Sequence, residues 1–237
     1  MKKTFCAHRG VSKLMPENTL PAFAAALALG AGEIEFDVRE TKDHRMVVSH
    51  DPNLERISNG TGLVSEHTLA ELKAMNIGAE KGWDVSFCTP EEVFEAFAGR
   101  IVFNIHMKEQ GEDGWMMKEI AALAKKYDVE DSIYIAASPK QLEWAKKVAP
   151  QIGRCAIQLP KDEIGIYEMA TAYGCGRVQF WLGMFDEELI GKLHAAGISC
   201  NLFYADDAEN YEKYFAMGVD TLLTNRMDLA ARYKEKQ

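Results

Sequence analysis

The chain has 237 residues, 47% of them hydrophobic, and a formal net charge of −9. A chain this acidic is a poor general binder of nucleic acid, because nucleic acid is bound through a basic surface. Its five cysteines are an odd number without CxxC spacing, which argues against both a disulfide framework and a zinc–cysteine site. No apolar segment follows the lysines near the start, and no run approaches the ~20 apolar residues of a membrane-spanning helix. We therefore expect a cytoplasmic protein without stable membrane insertion.

Short β-like segments alternate with longer helical ones along the chain, a pattern typical of parallel βα units. Strands are predicted at 4–8, 33–39, 101–107, 132–137, 151–158, 177–181, 198–203 and 221–224. Helices are predicted at 18–29, 90–97, 114–126, 140–148, 162–173, 187–196 and 208–216. Eight parallel strands with intervening helices predict an α/β protein with a TIM-like (β/α)8 barrel, a fold that typically takes about 250 residues.

An open doubly wound sheet is the alternative fold for this alternation. Such a sheet would carry a glycine-rich phosphate loop directly after its first strand. The stretch His8-Arg9-Gly10-Val11-Ser12, which ends the first predicted strand and follows it, does not have that pattern. We therefore predict a single barrel domain that spans residues 1–237.

Two stretches interrupt the regular alternation. A turn at 43–45, followed by an extended segment at 46–50, predicts an antiparallel excursion beside the second strand. The segment 52–88 is irregular and contains one short helical stretch at 68–74. Long irregular segments in compact domains commonly serve a function, so we predict that 52–88 is an inserted lid or small subdomain.

Polar side chains recur where the predicted strands end, which is where barrels carry their reactive groups. The first strand ends in His8-Arg9, and the extended segment after the turn ends in His50-Asp51. Two histidines are suited to proton transfer near neutral pH. An arginine is suited to binding phosphate oxygens.

The second and third barrel strands carry polar residues at a spacing of two, which places them on one face of each strand. These residues are Glu35 and Asp37 on one strand, and Asn104, His106 and Lys108 on the other. Two carboxylates and a histidine are suited to a divalent cation, and the lysine to a phosphate oxygen. Together with the two other histidines, they favour metal-assisted cleavage of a phosphoester.

Each of these groups also has a purely structural interpretation. Glu35 and Asp37 lie between apolar neighbours, as on the wet face of a half-buried edge strand. His50-Asp51 fits a helix-entry cap with a surface histidine. His106 alone fits a hydrogen-bonded core histidine. The functional interpretation therefore depends on their occurrence together at strand ends.

The same residues resemble the motifs of the glycerophosphodiester phosphodiesterase family, in the family's order and close to its spacing. The matching stretches are His8-Arg9-Gly10, Pro16-Glu17-Asn18-Thr19, Ala22-Phe23, Glu35-Phe36-Asp37-Val38, Thr41-Lys42-Asp43 and Val47-Val48-Ser49-His50-Asp51. Looser resemblances lie at 103–108 and 218–226. The resemblance implies a barrel with a small insertion after the His-Asp motif.

The resemblance also implies roles for the individual residues. It implies His8 and His50 as the general acid/base pair, Glu35 and Asp37 as metal ligands, Arg9 and Lys108 as phosphate contacts, and Glu17, Asn18 and Asp51 as supporting residues. Glu17 would join the metal or orient Arg9, and Asn18 would hold the loop or cap the first helix. A plain helix start with Thr19 as N-cap explains the same stretch equally well.

His106 stands where the family has a glutamate as its third metal ligand. A neutral imidazole removes one negative charge, and calcium prefers oxygen ligands, whereas zinc and manganese accept imidazole. We therefore predict one divalent ion, with magnesium, manganese or zinc favoured over calcium and magnesium less suited than the other two. A weaker site, or a His106 that does not bind the ion, is the alternative.

The late strands also depart from the family pattern. The usual tryptophan is absent from the stretch at 200–206, and Asn225 replaces an aspartate. Trp181, Phe203 and Tyr204 offer an apolar wall for the alcohol, or simply belong to the barrel core. These departures leave the alcohol group of the substrate open.

The predicted function is hydrolysis of a small-molecule phosphodiester, a glycerophosphodiester, to sn-glycerol 3-phosphate and an alcohol. One alternative is a phospholipase D-like enzyme that cleaves lysolipids. The other is a barrel that binds a phosphodiester or sugar phosphate without turnover. The sequence predicts no nucleic-acid partner and does not specify an oligomeric state.

Overall fold

The computed structural model describes residues 3–157 and 164–236, and eight of its strands run parallel around a barrel. These strands are β1 (Thr4–His8), β2 (Glu33–Glu40), β4 (Val102–Met107), β5 (Ile133–Ala137), β6 (Gly153–Ile157), β7 (Arg177–Trp181), β8 (Ser199–Phe203) and β9 (Thr221–Thr224). Strand β1 pairs with both β2 and β9, which closes the sheet on itself. The predicted TIM-like barrel is confirmed, and the open doubly wound sheet is excluded.

The predicted antiparallel excursion is also confirmed. Strand β3 (Met46–Val48) pairs antiparallel with β2, with Val38 opposite Val48. The chain turns between the two strands at 41–45, where His44 adopts a left-handed backbone conformation with φ 54°. The hairpin lengthens one side of the barrel and delivers the following residues to its carboxyl end.

Helices follow most strands and pack around the barrel. They are α1 (Leu20–Ala28), α2 (Leu69–Lys73), α3 (Pro90–Phe97), α4 (Trp115–Lys126), α5 (Pro139–Val148), α6 (Ile166–Tyr173), α7 (Glu187–Ala195), α8 (Tyr211–Ala216) and α9 (Met227–Lys234). None of the helices in the described part of the chain has the length and apolar character required to cross a bilayer. The predicted strand end at 158 and helix start at 162–163 lie outside the described residues.

The first helix was predicted from residue 18 but begins at Leu20, after the predicted cap. Thr19 is its N-cap and accepts a hydrogen bond from the backbone N–H of Ala22. The last helix, α9, had no counterpart in the sequence-based prediction, which ended at residue 224. It forms because Met227 and Ala230 are buried against the barrel while its charged residues face outward.

The second strand shows why polar residues lie inside this barrel. Strand β2 is flanked by β1 and β4, so it is not an edge strand and the wet-edge interpretation of Glu35 and Asp37 is wrong. Both carboxylates are buried. Successive residues of a strand face opposite sides, and the intervening Ile34, Phe36 and Val38 pack in the main hydrophobic core.

The 52–88 segment has a small apolar cluster of its own. It contains α2, two short 3₁₀ helices at Val64–Glu66 and Ala79–Lys81, and an isolated bridge between Asn53 and Leu63. The cluster consists of buried Val47, Leu54, Ile57, Val64, Leu72, Ile77 and Phe87. Val47 comes from β3, so the cluster joins the segment to the hairpin.

Candidate active site

The three predicted metal ligands come together at the carboxyl end of the barrel. Strands β2 and β4 pair so that Asp37 lies opposite His106, and Glu35 lies one pleat below Asp37 on the same face. Each residue offers one ligand atom, and these atoms all lie within 4.8 Å of one another. His106 Nδ1 is 3.4 Å from Asp37 Oδ1 and 3.9 Å from Glu35 Oε1.

The electrostatics of this cluster fit a cation. Within the described residues, the buried Glu35 Oε1 accepts no hydrogen bond. Burial, followed by the negative charge of Asp37, raises the pKa of Glu35 to about 8. Burial alone would raise the pKa of Asp37 as well, but the positive charge of Lys108 in particular holds it well below its usual range. A divalent ion would compensate the second carboxylate, so the donor set fits such an ion.

Lys108 lies against the same cluster. Its Nζ is 2.9 Å from Asp37 Oδ1 and donates to His106 Nδ1, also at 2.9 Å. Burial, followed by the charge of Lys108, lowers the pKa of His106 to about 4, so its imidazole is neutral near pH 7. His106 Nδ1 can bind a cation only if the lysine turns to another acceptor, such as a phosphate oxygen.

A hydrogen bond to Asn225 fixes the orientation of the His8 ring. Its Nδ1 lies 2.7 Å from Asn225 Oδ1, and Asn225 Nδ2 donates to Asp206 Oδ2 at 2.7 Å. The amide oxygen only accepts, so Nδ1 carries the proton and Nε2, 3.8 Å from Glu35 Oε2, carries the lone pair. Burial, followed by the charge of Arg9, lowers the pKa of His8 to about 4.

His50 has a charged partner instead. Its Nδ1 lies 2.6 Å from Asp51 Oδ1, and Asp51 in turn accepts a hydrogen bond from Arg56 Nε. Burial, together with the charges of Lys108 and Arg9, nevertheless lowers the pKa of His50. A histidine backed by a carboxylate and a histidine backed by an amide therefore face the same cavity.

Arg9 and its neighbours occupy the loop after β1. Arg9 has a left-handed backbone with φ 55°, and its N–H donates to Glu35 Oε2 at 3.0 Å. Its guanidinium reaches Glu17 Oε1 at 3.0 Å and Asp37 Oδ2 at 3.3 Å. Asn18 Nδ2 donates to Asp37 Oδ2 at 2.9 Å. Glu17 thus contacts Arg9, and Asn18 contacts the acidic cluster while Thr19 caps the helix.

A cavity of about 280 Å³ opens between these groups. Its polar side includes His8, Arg9, His50, His106 and Lys108, and its apolar side includes Ile157, Trp181, Phe203 and Tyr204. The rings of Trp181 and Phe203 are stacked at a centroid distance of 5.0 Å and an interplanar angle of 7°. A larger cavity of about 350 Å³ lies beside the hairpin, between Arg45 and Trp115, and contains none of these polar residues.

Three contacting residues escaped the sequence interpretation. The sequence marks Asn225 only as a departure from a family pattern, although its position after the last strand of a barrel is a usable signal. Asp206 accepts hydrogen bonds from both the backbone N–H and the side-chain amide of Asn225. Arg56 lies in the irregular segment, where strand periodicity gives no information.

Acidic and histidine side chains around a cavity at the carboxyl end of a (β/α)8 barrel define a TIM-barrel enzyme. Residues 8–229 match the glycerophosphoryl diester phosphodiesterase family, and the chain belongs to this family of phosphoric diester hydrolases. A glycerophosphodiester phosphodiesterase of Caldanaerobacter subterraneus is 32% identical over 95% of both chains.

Solved structures show the same fold. An Oleispira antarctica phosphodiesterase, determined in complex with the product sn-glycerol-3-phosphate, superposes with a TM-score of 0.85 at 23% identity, over 100% of this chain and 98% of that one. A protein from Galdieria sulphuraria described as a putative glycerophosphodiester phosphodiesterase gives a TM-score of 0.87 at 21% identity, over 99% and 98% of the two chains.

Proposed function

We propose that this protein is a metal-dependent hydrolase that cleaves glycerophosphodiesters to sn-glycerol 3-phosphate and an alcohol. The observation that carries the proposal is a cavity lined by His8, His50 and His106, in which His106 belongs to the cluster that it forms with Glu35 and Asp37. The 32% identical relative from Caldanaerobacter and the product bound to the Oleispira protein support the choice of substrate.

Glu35, Asp37 and His106 would hold one divalent ion. Such an ion polarises a phosphodiester and neutralises charge on its oxygens. The imidazole of His106 favours manganese or zinc, and to a smaller degree magnesium, over calcium. One oxygen of Glu35 accepts no hydrogen bond from the residues that the structure describes, and this supports the assignment, because a buried carboxylate oxygen without a donor gains most from a cation.

His8 and His50 would transfer the protons. Each uses Nδ1 for a supporting hydrogen bond, which leaves Nε2 for the reaction. One histidine is neutral, and its Nε2 accepts the proton of the attacking oxygen, which belongs to water or to a substrate hydroxyl. The other must carry protons on both ring nitrogens, so that its Nε2 returns a proton to the leaving alkoxide. Asp51 supports this role by fixing the ring of His50.

Arg9 and Lys108 would bind the phosphate. Both now contact Asp37, at 3.3 and 2.9 Å, so they already lie at the edge of the acidic cluster. A phosphate oxygen gives each an alternative acceptor and spreads the developing charge. Glu17 would orient Arg9, and Asn18 would hold Asp37.

The alcohol side of the substrate would lie along Trp181, Phe203 and Tyr204, which form the apolar side of the cavity.

We further propose one domain spanning residues 1–237, located in the cytoplasm, with 52–88 as an inserted small subdomain. The separate apolar cluster of this segment supports the last point.

Turnover assays test the proposal. Glycerophosphocholine and bis(p-nitrophenyl) phosphate should be hydrolysed in the presence of manganese or zinc, and more slowly with calcium. His8→Ala and His50→Ala should each lower kcat by about 10²–10⁴-fold, the usual contribution of a general acid or base. Near-full activity of either variant would remove that residue from the mechanism.

Two further results separate the alternatives. Faster cleavage of lysophosphatidylcholine than of glycerophosphocholine would favour a lysolipid-cleaving enzyme. Binding of glycerophosphocholine without turnover under any of magnesium, calcium, manganese, zinc or cobalt would favour a barrel that only binds its ligand.

A further inference from the structure

Arg56 lies in the 52–88 segment and bridges two carboxylates of the candidate site. Its Nε donates to Asp51 Oδ2. Its Nη1 and Nη2 donate to the two oxygens of Glu17, at 3.1 and 2.7 Å. All three nitrogens of one guanidinium are thereby used, in the planar geometry that suits arginine to paired carboxylates.

Each of these carboxylates supports a different reactive group. Asp51 Oδ1 lies 2.6 Å from His50 Nδ1, and Glu17 Oε1 lies 3.0 Å from Arg9 Nη1. Asp51 belongs to the hairpin side of the barrel and Glu17 to the loop after β1. Arg56 is therefore a link in a chain of contacts that joins His50 to Arg9 across the mouth of the barrel.

Arg56 does not line the cavity that holds the two histidines. It lines a separate cleft of about 50 Å³, together with Glu17, Ile57, Ile77 and Lys81. Its side chain is 49% exposed. Its contacts with the site pass through Asp51 and Glu17, so its influence on the reaction is indirect.

The backbone around Arg56 is anchored by the segment's own core. Leu54 and Ile57, on either side of it, are buried in the apolar cluster with Leu72 and Phe87. The backbone N–H of Ile57 donates to the carbonyl of Leu54 at 3.1 Å, which closes a turn around Arg56. The position of the guanidinium is therefore set by the folding of the 52–88 segment.

We infer that Arg56 is a positioning residue that makes the orientation of His50 and Arg9 depend on the 52–88 segment. This inference rests on the proposed phosphodiesterase function. Removing the guanidinium leaves Asp51 and Glu17 without their shared partner. Both carboxylates then turn toward solvent, or Asp51 turns toward Arg9 and Glu17 toward His50. His50 then loses its fixed ring orientation, while the residues proposed to bind the metal keep their contacts.

Steady-state kinetics of Arg56→Ala, Arg56→Lys and the control Arg45→Ala test this role. Arg56→Ala should lower kcat by about 10- to 100-fold through His50, the usual effect of losing a partner that orients a reactive group. It should also raise KM, because Arg9, proposed to bind the phosphate, loses its orientation as well. Arg56→Lys should stay impaired, because one ammonium cannot replace three N–H donors in a plane. Added guanidinium ion, below unfolding concentrations, should restore part of the activity of Arg56→Ala.

Arg45 is an exposed arginine of the hairpin turn, so its alanine variant should keep wild-type kcat and show no rescue. A kcat of Arg56→Ala within twofold of wild type would overturn the inference. A raised KM with unchanged kcat would overturn it as well, since His50 would then keep its orientation without Arg56. Thermal melting of each variant shows whether a loss of activity is a loss of folded protein.

The ¹⁵N signals of the His50 ring provide a readout that needs no turnover. They should show a protonated Nδ1 in wild type and a mixture of tautomers in Arg56→Ala, with His44 as an internal reference. Unchanged His50 signals would overturn the inference even if the enzyme is active. A wild-type protein without turnover would overturn the proposed function, and these signals would still report whether Arg56 positions His50.

Discussion

Two glutamates on β2 show how the same residue serves opposite purposes at the two ends of one barrel. Glu33 and Glu35 lie two positions apart, point into the same interior and are 3% and 0% exposed. Glu33 lies toward the amino end of the barrel, and Glu35 lies toward the carboxyl end with the reactive groups.

Glu33 is fully paired by the protein. Tyr134 OH donates to its Oε2 at 2.6 Å, and Arg177 Nη1 donates to its Oε1 at 3.1 Å. The guanidinium of Arg177 also lies 4.5 Å from the centroid of the Tyr134 ring. These contacts join three strands and close the interior of the barrel below the site.

Glu35 is left incompletely paired. One of its oxygens accepts from the backbone of Arg9, and the other accepts nothing from the described residues. Burial of a carboxylate therefore does not by itself identify a functional residue. The distinguishing feature is whether the protein supplies all of its partners or leaves one place for a ligand.

Substitution of Glu35 should therefore lower activity, and substitution of Glu33 should lower stability. The effect of Glu35 on activity is the larger of the two. Glu35→Gln keeps the shape of the side chain but removes a charge that would bind the cation. We expect kcat/KM to fall by about 10³-fold, since metal assistance contributes several kcal/mol to the barrier. Metal-free Glu35→Gln should melt no lower than wild type near pH 7, because burial and the charge of Asp37 raise the pKa of Glu35 to about 8 and its carboxyl is already mostly uncharged there. A variant with wild-type turnover would remove Glu35 from the metal site.

Glu33→Gln should instead weaken the fold. Breaking a buried ion pair leaves an uncompensated charge, and with Arg177 29% exposed we expect a loss of about 3 kcal/mol, at the lower end of the usual range. For a chain of this length the Tm should fall by about 6–12 °C. The double variant Glu33→Gln/Arg177→Met should recover part of the loss. A melting temperature equal to wild type would contradict the structural role of Glu33.

The distinction between these glutamates was not available from the sequence. Strand periodicity predicted the barrel, the hairpin and the placement of Glu35 and Asp37 on one face, because alternation and strand ends are local features. Glu33 carries the same alternation and was not singled out. Its partners Tyr134 and Arg177 are brought to it only when the barrel closes.

The hydrogen-bond partners of the two histidines also differ in whether the sequence could predict them. Asp51 adjoins His50 in the sequence, so its role could be predicted from neighbouring residues. Asn225 contacts His8 across 217 positions, and no local pattern specifies that a residue after the last strand hydrogen-bonds to the end of the first. Arg56 is in an irregular segment, and its bridging position depends on the apolar cluster that anchors it.

Cation binding should change the melting temperature of the two glutamate variants differently, by an intermediate amount. A cation present at 100 times its Kd stabilises the folded state by about 2.7 kcal/mol, which corresponds to about 5–11 °C in Tm. Thermal melting should show this increase with manganese or zinc in wild type and in Glu33→Gln, and not in Glu35→Gln.

His106 provides the matched test of metal choice. His106→Glu replaces the imidazole by a hard oxygen ligand, so the preference should move toward calcium, by about tenfold in relative affinity. The same melting series measures it. An unchanged order of metals in His106→Glu would show that His106 is not a ligand.

The smallest expected effect concerns Asp51, a carboxylate that the protein pairs at the same end of the barrel as Glu35. Burial alone would raise its pKa, but the hydrogen bonds from Arg56 and then His50 lower the pKa of Asp51 to about 2. The unfolded chain titrates near 3.9, so the folded value is depressed. The resulting stabilisation is present above about pH 4 and is lost as the pH falls toward 2.

Arg56→Ala removes the main cause of this depression. Wild type should therefore exceed Arg56→Ala in stability by about 1 kcal/mol at pH 6, allowing for solvent screening of a half-exposed arginine. The gap should shrink as the pH falls from 4 to 2, because Asp51 becomes protonated in both proteins. Urea unfolding of the two proteins and of Arg45→Ala across this range measures the gap. A gap that stays constant down to pH 2 would mean that Arg56 stabilises the fold through packing rather than through its carboxylate partners, since packing does not titrate.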